Sequence, residues 1–356
     1  MQSRRAGPGA ISYSGEMVAT RAATPEPGVA PASLAAGIPP SARLHVVTGK
    51  GGTGKTTVAA ALALALAEGG RRVLLVEVES RQAIAQLFGV PPMEYAETRL
   101  VRTGNGGSLW GLAIDPEEAM LEYLEMFYGL KRAGKGLKKM GAVDFVTTLA
   151  PGLRDVLLTG KVKESVVRVD TQGRPVYDAI VLDAPPTGRI GRFLDATREV
   201  QKLAKIGSIA DQSAGVIKLL HGPRTAVHLV TLLEEMPVQE TLDAAGELRR
   251  LEFRLGALIV NRARPRLIEP GQVGETGKVN LTSLAAGLRK AGIGKEHAAP
   301  LAQEMAEYAE RQRVQDENQA RLDELDLPRI TLPDLNPPVE VGELKDLAAC
   351  FQPEAS

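Results

Sequence analysis

The chain has 356 residues, 44% of them hydrophobic, which is enough for one large α/β domain or two smaller ones. Its 43 Lys and Arg residues balance 43 Asp and Glu residues, so the composition creates no overall field that would attract nucleic acid. The single cysteine, Cys350, excludes internal disulfides and suits a reducing, cytoplasmic location. No apolar run approaches the roughly 20 residues of a membrane-spanning helix, so we expect no stable membrane insertion.

Residues 1–42 differ in character from the rest of the chain. They are dominated by Ala, Pro, Gly and Ser, and their prolines oppose regular secondary structure. Arg4 and Arg5 are not followed by the hydrophobic stretch of a signal peptide. We therefore expect a disordered tail at 1–42, within which Met17 is an alternative start, and a folded domain at 43–356.

Apolar strands alternate with helical patterns along the rest of the chain. The predicted strands lie at 44–48, 73–78, 109–114, 177–182, 226–232, 255–260 and 329–332. Such an alternation is typical of an α/β fold whose doubly wound, mostly parallel sheet is covered on both faces and binds ligands at the strand carboxyl ends. Two stretches, at about 116–170 and 284–325, contain no convincing strand and are predicted to be helical insertions.

The segment Gly49–Thr57 reads G-K-G-G-T-G-K-T-T and matches the phosphate-binding loop G-x-x-x-x-G-K-[ST]. It lies between a predicted strand and an Ala- and Leu-rich helix, which is the context that the motif requires. Glycines let successive backbone N–H groups approach phosphate oxygens at a helix N-terminus. The predicted phosphate-binding residues are Gly51, Gly52, Thr53, Gly54, Lys55, Thr56 and Thr57. We expect Lys55 to reach the β- and γ-phosphates and the Thr56 hydroxyl to ligate Mg²⁺.

A second motif, Asp183–Gly188, follows a hydrophobic strand and reads D-A-P-P-T-G. A carboxylate in this place is the second half of a phosphate-loop nucleotidase and holds Mg²⁺ through water. The backbone N–H of Gly188 can face a γ-phosphate, so the turn is expected to move when that phosphate leaves. The alternative is an ordinary aspartate that caps the next helix.

Together, the two motifs resemble those of one family. Gly49–Thr57 with its additional lysine, Lys50, is similar to the deviant phosphate loop of dimeric ATPases. The Pro-Thr-Gly ending of Asp183–Gly188 narrows the resemblance to the arsenite-pump ATPase (ArsA) family, which includes the targeting ATPase for tail-anchored membrane proteins. Segments 231–241 and 260–262 also match, and the resemblance spans about residues 43–345. Its overall character is similar to actinobacterial members, which often occur as paired paralogues.

This resemblance implies an ATP- and Mg²⁺-dependent P-loop ATPase that forms a homodimer or a heterodimer with a paralogue. By the same resemblance, Lys50 crosses the dimer interface to the phosphates of the opposite subunit. Asn261 resembles the residue that reads the adenine edge, although a helix cap after a strand is the alternative for it. Pro333 resembles part of the loop that covers the base.

The chain departs from the family pattern after the second strand. The family has Asp-Pro-Ala-His there, with the Asp orienting the attacking water, whereas this chain has Glu79-Ser80-Arg81-Gln82. The extra methylene of Glu79 moves its carboxylate by about 1 Å, and a misplacement of that order can lower the rate about 100-fold. Two hypotheses follow: an ATPase that hydrolyses slowly with Lys50, Glu79 and Asp183 as catalytic residues, or an ATP-binding, weakly hydrolysing subunit of a heterodimer.

The sequence gives less support for a client-binding site or for a cysteine-based metal site. With one cysteine, the chain lacks the residues for the cysteine-based zinc or arsenite sites of the family. Apolar residues recur at helical spacing at Met120, Tyr123, Leu124, Phe127 and Leu130. They form either a groove for a hydrophobic client or, as the simpler interpretation, a face packed on the protein's own core. Chromosome partitioning is disfavoured because no basic nucleic-acid surface emerges.

Overall fold

The computed structural model of the chain describes residues 34–79, 81–128, 151–203, 208–269, 271–274, 277–335 and 339–353. Most of the predicted tail, including Met17, lies outside these residues, as do Ser80 and Leu130. The side chains of three members of the predicted groove, Tyr123, Leu124 and Phe127, are also outside the description. Within 34–42, Ile38 and Ala42 are buried.

Eight described strands form one sheet in the order β3-β4-β2-β5-β1-β6-β7-β8. The strands are β1 Leu44–Gly49, β2 Arg72–Glu77, β3 Thr98–Arg102, β4 Ser108–Ala113, β5 Ala179–Asp183, β6 Thr225–Thr231, β7 Leu255–Ala263 and β8 Arg329–Pro333. Every neighbouring pair is parallel except β3 and β4, which are antiparallel. Parallel strands need crossover connections, and helices supply them.

The described helices begin with α1 Lys55–Glu68, α2 Ala83–Leu87, α3 Pro116–Tyr128, α4 Pro151–Val167 and α5 Thr187–Leu203. They continue with α6 Ser208–Leu220, α7 Glu235–Arg250, α8 Leu281–Lys290, α9 Ala298–Asp323 and α10 Val341–Ala349, and a 3₁₀ turn spans Lys295–His297. Helices α3 and α4 occupy the described parts of the stretch 116–170. Most of α8 and α9 lies in the stretch 284–325.

Helices cover the sheet on both faces. Helix α1 is apolar all round, and every residue from Val58 to Ala67 is buried between the sheet and α10, whose Leu344 and Leu347 share the same core. On the opposite face, α4, α5, α6 and α7 contribute Leu158, Phe193, Val216 and Val238 to a second core. Because both faces are covered, the inner strands are continuous apolar runs.

The predicted fold class, an α/β P-loop sheet that is mostly parallel, is confirmed. One strand was missed: β3 is an antiparallel edge strand whose residues are only partly buried or exposed, so it lacks the continuous apolar run that marks the inner strands. Among the described residues, no helix is both long and apolar enough to cross a membrane.

Candidate functional site

The predicted phosphate loop joins the end of β1 to the start of α1. Gly52 and Gly54 adopt left-handed backbone conformations, with φ of 89° and 82°, which residues with a Cβ rarely adopt. Thr53 braces the loop from within, since its N–H and hydroxyl donate to the carbonyl of Lys50 at 3.2 and 2.8 Å. A Cβ added at Gly51 or Gly52 would have no described atom within 4 Å, so this side of the loop is open to a ligand.

Asp183 lies beside this loop because of the sheet register. Strand β5 pairs in parallel with β1 and sets Asp183 opposite Val47. The Thr56 hydroxyl donates a hydrogen bond of 2.6 Å to Oδ2 of Asp183. The Thr48 hydroxyl donates to the carbonyl of Pro185 at 2.7 Å, which ties the turn after β5 to β1. The fold thus joins the two residues that the sequence predicts as Mg²⁺ ligands.

The electrostatics of Asp183 are those of a buried acid. The pKa of Asp183 is raised to about 6, chiefly by burial and also by the nearby Glu77 and Glu79, against the lowering effect of the hydrogen bond from Thr56 and of the charge of Lys55. Its Oδ1 is buried and has no hydrogen-bond partner among the described residues. A carboxylate oxygen with free lone pairs beside a threonine hydroxyl fits Mg²⁺, a hard cation that takes oxygen ligands.

Glu79 lies on the loop that follows β2. Its side chain is 22% exposed, and its Oε2 is 3.7 Å from the guanidinium of Arg81. The loop is fastened by Glu77, the buried last residue of β2. The Glu77 carboxylate accepts backbone N–H groups from Arg81 at 2.7 Å and from Ala83 and Ile84 at 3.4 Å each. Glu77 therefore sets the path of the loop that presents Glu79.

Lys50 forms an ion pair within its own chain. Its Nζ lies 2.7 Å from Oε1 of Glu240 on α7. The other carboxylate oxygen of Glu240 accepts a hydrogen bond of 3.3 Å from the hydroxyl of Thr187, the first residue of α5. The next residue, Gly188, is exposed. One carboxylate thus connects the phosphate loop to the turn after Asp183.

Asn261 lies against the phosphate loop, and Pro333 lies on the neighbouring strand β8. The Asn261 side-chain amide donates a hydrogen bond of 2.8 Å to the carbonyl of Thr53. A Cβ added at Gly54 would lie only 2.5 Å from that amide nitrogen, so the two residues are closely packed. Asn261 lies within β7, so the alternative of a helix cap does not apply. Pro333 ends β8 and is exposed, and the following Asp334 donates its N–H to the end of β7.

Two residues of this constellation were not assigned from the sequence. Glu77 carries the same signal as Asp183, a carboxylate that ends an apolar strand, whereas the family pattern has its aspartate at the position of Glu79. Glu240 lies in the matching segment 231–241, yet nothing in that segment identifies Lys50, 190 residues away, as its partner. Both roles depend on contacts that only the folded chain brings about.

The remaining metal-binding residue types are used elsewhere. Over the described ranges, no group of three or more His, Cys, Asp and Glu side chains is placed to hold a metal ion. His45 and His228 bond each other in the core, with 3.1 Å between Nδ1 and Nε2, and burial lowers the pKa of His45 to about 4. The thiol of Cys350 donates a hydrogen bond of 3.6 Å to the carbonyl of Asp346.

Comparison with known proteins finds similarity to one family of ATPases. The sequence model of the family described as anion-transporting ATPase matches residues 42–223, which include the phosphate loop, Glu79 and Asp183. ATPase BagA of Mycobacterium tuberculosis is 55% identical over 310 residues, covering 86% of this chain and 91% of that protein. The arsenical pump-driving ATPase of Acidiphilium multivorum is 28% identical over 233 residues, covering 61% and 39% respectively. ATPase GET3 of Podospora anserina is 30% identical over 207 residues, covering 57% of each chain.

Proposed function

The chain belongs to the anion-transporting ATPase (ArsA) family, and from this premise we propose that it is a dimeric, Mg²⁺-dependent ATPase. Water attacks the γ-phosphorus of ATP, and loss of that phosphate moves helices that bind a client or partner. The observation that carries the proposal is the 2.6 Å hydrogen bond between Thr56 and Asp183 beside an open glycine loop. It joins the two halves of a phosphate-loop nucleotidase in one place.

The proposed binding roles follow from the geometry of the loop. The backbone N–H groups of residues 51–54 and the side chains of Lys55 and Thr57 hold the phosphates at the N-terminus of α1. Thr56 and Asp183 hold Mg²⁺, which, when bound, neutralises charge on the phosphate oxygens. The exposed N–H of Gly188 faces the γ-phosphate.

The adenine site is proposed on the opposite side of the loop. Asn261 is held against the loop by its bond to Thr53, so its remaining polar atoms are fixed relative to the phosphates. Pro333 lies at the exposed end of the neighbouring strand β8 and covers the base. The fixed distance between Asn261 and the loop supports recognition of a nucleoside triphosphate rather than of free phosphate.

Dimerisation would bring a second lysine to each nucleotide. Lys50 is partly exposed, with 28% of its side chain accessible, and directly precedes Gly51 and Gly52, where the loop is open. In the proposed dimer it reaches the phosphates of the opposite subunit and neutralises charge that develops on the leaving group. The second subunit is either another copy or a paralogue.

A second candidate function is supported by the loop after β2. Glu79 stands where the family has aspartate, and it lies 3.7 Å from a cation of its own chain, Arg81. Both features weaken its hold on an attacking water. In this alternative the chain binds ATP and closes on a partner but hydrolyses slowly, as the regulatory subunit of a heterodimer with an active paralogue.

Conformational output is proposed for the helical stretch 116–170. Helix α5 begins at Thr187, within the turn that we propose to move, and its Arg189 pairs with Asp155 of α4 at 3.1 Å. Lys161 of α4 in turn pairs with Glu122 of α3 at 2.8 Å. A shift of the turn therefore reaches α3 through two ion pairs. Hydrogen exchange with and without ATP tests this: equal protection of α3 and α4 in both states excludes the stretch as the moving part.

Phosphate release by the purified full chain tests the main proposal. We expect turnover that requires Mg²⁺ and is abolished by Lys50→Ala, with sedimentation showing a dimer when ATP is bound. Lys218→Ala, the same substitution at an exposed position on α6, is the matched control and should leave turnover unchanged. Tight ATP binding with almost no turnover, restored by adding the paralogue, favours the second candidate. Calorimetry that shows no heat with Mg²⁺ and ATP contradicts both.

A further inference from the structure

Three parts of the site meet at one carboxylate. Glu240 on α7 contacts Lys50 of the phosphate loop at 2.7 Å through Oε1 and Thr187 of the turn at 3.3 Å through Oε2. Neither the family match, which ends at residue 223, nor the motifs of the sequence assign Glu240 a role. It is the place where the loop that receives phosphate and the turn that responds to its loss share a partner.

The ion pair between Lys50 and Glu240 is weak enough for a phosphate group to displace it. The side chains of Lys50 and Glu240 are 28% and 37% exposed, so water and salt screen their attraction. A partly exposed pair is worth a factor of about two to five in an equilibrium constant. This is enough to set the resting position of Lys50, yet small beside the attraction of a triphosphate, which carries several negative charges.

The hydrogen bond from Thr187 means that loss of the Lys50–Glu240 ion pair would also affect the start of α5. Thr187 is buried, and its hydroxyl donates to the carboxylate that also holds Lys50. When a phosphate takes Lys50, the Glu240 carboxylate keeps its charge without a cation beside it, so its Oε2 becomes a stronger acceptor for the hydrogen bond from Thr187. The first residue of α5 is then held more firmly, which links the loop to the turn.

We propose that Glu240 is a positioning residue that holds Lys50 along its own chain until a phosphate group takes it. This exchange sets the ATP concentration at which Lys50 is released to the opposite subunit. The inference rests on the proposed function, because it requires that Lys50 binds phosphate in the ATP-bound state.

The test is a comparison of Glu240→Gln with the wild-type chain by calorimetric titration with Mg²⁺ and ATP. Loss of the charge frees Lys50, so the half-saturating ATP concentration should fall about two- to fivefold at low salt. The difference should shrink at about 0.5 M salt, where charges are screened within a few ångströms. Glu240→Asp keeps the charge and should restore most of the wild-type behaviour.

Two controls separate this role from a structural one. Asp243→Asn makes the same charge change at an exposed position on the same helix, where the carboxylate accepts only a 3.0 Å bond from Gln239 among the contacts described. It should leave ATP affinity unchanged. In a Lys50→Ala chain, adding Glu240→Gln should also have no effect, because the cation it holds is gone.

The outcomes are distinct. A shift for Glu240→Gln equal to that of Asp243→Asn, or one that persists in the Lys50→Ala chain, overturns the role of Glu240 and leaves the proposed function standing. A wild-type chain that binds no ATP overturns the proposed function itself. Sedimentation provides a second readout, since Glu240→Gln should dimerise at a lower ATP concentration than the wild type.

Discussion

The turn that follows β5 and the loop that follows β2 end neighbouring strands, yet they hold their carboxylates in opposite ways. Asp183 is buried, accepts a 2.6 Å hydrogen bond from Thr56, and keeps one oxygen without a described partner. Glu79 is 22% exposed and lies 3.7 Å from Arg81. The position of Asp183 follows from the pairing of strands, whereas that of Glu79 follows from a loop fastened by Glu77.

The two carboxylates are placed by different parts of the fold. Strand pairing sets Asp183 opposite Val47 and opposite Glu77, so its place is determined by the whole sheet. Glu79 depends on one buried neighbour, whose carboxylate accepts backbone N–H groups of residues 81–84. The position of the proposed Mg²⁺ ligand, Asp183, is therefore determined by the sheet, whereas the position of Glu79, proposed to orient the attacking water, depends on a single loop.

The largest expected effect separates the two carboxylates by activity. Asp183→Asn should lower kcat by about 10²–10³, a loss of the size seen when one group that stabilises transition-state charge is removed, because the proposed Mg²⁺ loses a charged ligand. Glu79→Gln should lower it by about tenfold or less, because its carboxylate is displaced from the family position in the first place. Phosphate release at saturating ATP measures both. Equal losses would show that the two carboxylates contribute alike and would remove the contrast.

The second effect concerns stability: the Asp183→Asn substitution that should lower kcat should also make the nucleotide-free chain more stable. The pKa of Asp183 is raised from 3.8 to about 6, so the folded chain favours the protonated form. Its charge destabilises the fold above about pH 6, and the penalty disappears as the pH falls toward 4. Without nucleotide and Mg²⁺, Asp183→Asn should raise the free energy of unfolding at pH 7 by up to about 3 kcal/mol.

Urea unfolding at several pH values from about 7 to 4 checks this expectation. The advantage of Asp183→Asn over the wild type should be greatest at the neutral end and vanish at the acid end. Asp243→Asn, an exposed change of the same type, should show no such trend. A variant less stable than the wild type at pH 7 would mean that the bond from Thr56 outweighs burial.

The third effect addresses the anchor of the loop. Glu77→Gln replaces an acceptor carboxylate by an amide with one acceptor oxygen, so at least one of its backbone N–H partners loses its bond. A buried donor left unpaired costs about 1–3 kcal/mol, and we expect a loss near 2 kcal/mol in urea unfolding. Glu94→Gln, at an exposed position, is the control. Unchanged hydrogen exchange at Arg81 and Ile84 would count against the anchor.

The smallest expected effect is on the rate of hydrolysis when Glu79 is shortened to aspartate. Glu79→Asp restores the residue that the family carries after the second strand. It should raise the rate of a single turnover about tenfold, which is part of the roughly 100-fold that a misplacement of about 1 Å can cost, if the length of the side chain limits the reaction. The ATP concentration for half-saturation should stay the same, since binding does not depend on this carboxylate. A slower reaction would mean that the loop has adapted to the longer glutamate.

Local patterns predicted the parts of this protein that local physics determines. Continuous apolar strands between helices specify a covered parallel sheet, and glycines ahead of Lys55 and Thr56 specify a loop with left-handed residues at a helix N-terminus. Strand β3 escaped prediction because it lies at the sheet edge, where burial is partial and the apolar run is lost. The role proposed for Gly188 came from the turn motif and those for Asn261 and Pro333 came from resemblance, and all three stay predictions.

Runs of neighbouring residues are enough to predict seven of the eight described strands, the phosphate loop and the aspartate at the end of β5. The folded chain is needed to show that Glu240 pairs with Lys50, 190 residues away, and that burial raises the pKa of Asp183. It also shows that Glu77 fastens the loop of Glu79, a contact that is local in sequence but depends on the burial of Glu77 at the end of β2. Charge pairing and burial depend on which segments the fold brings together, and no local pattern contains that information.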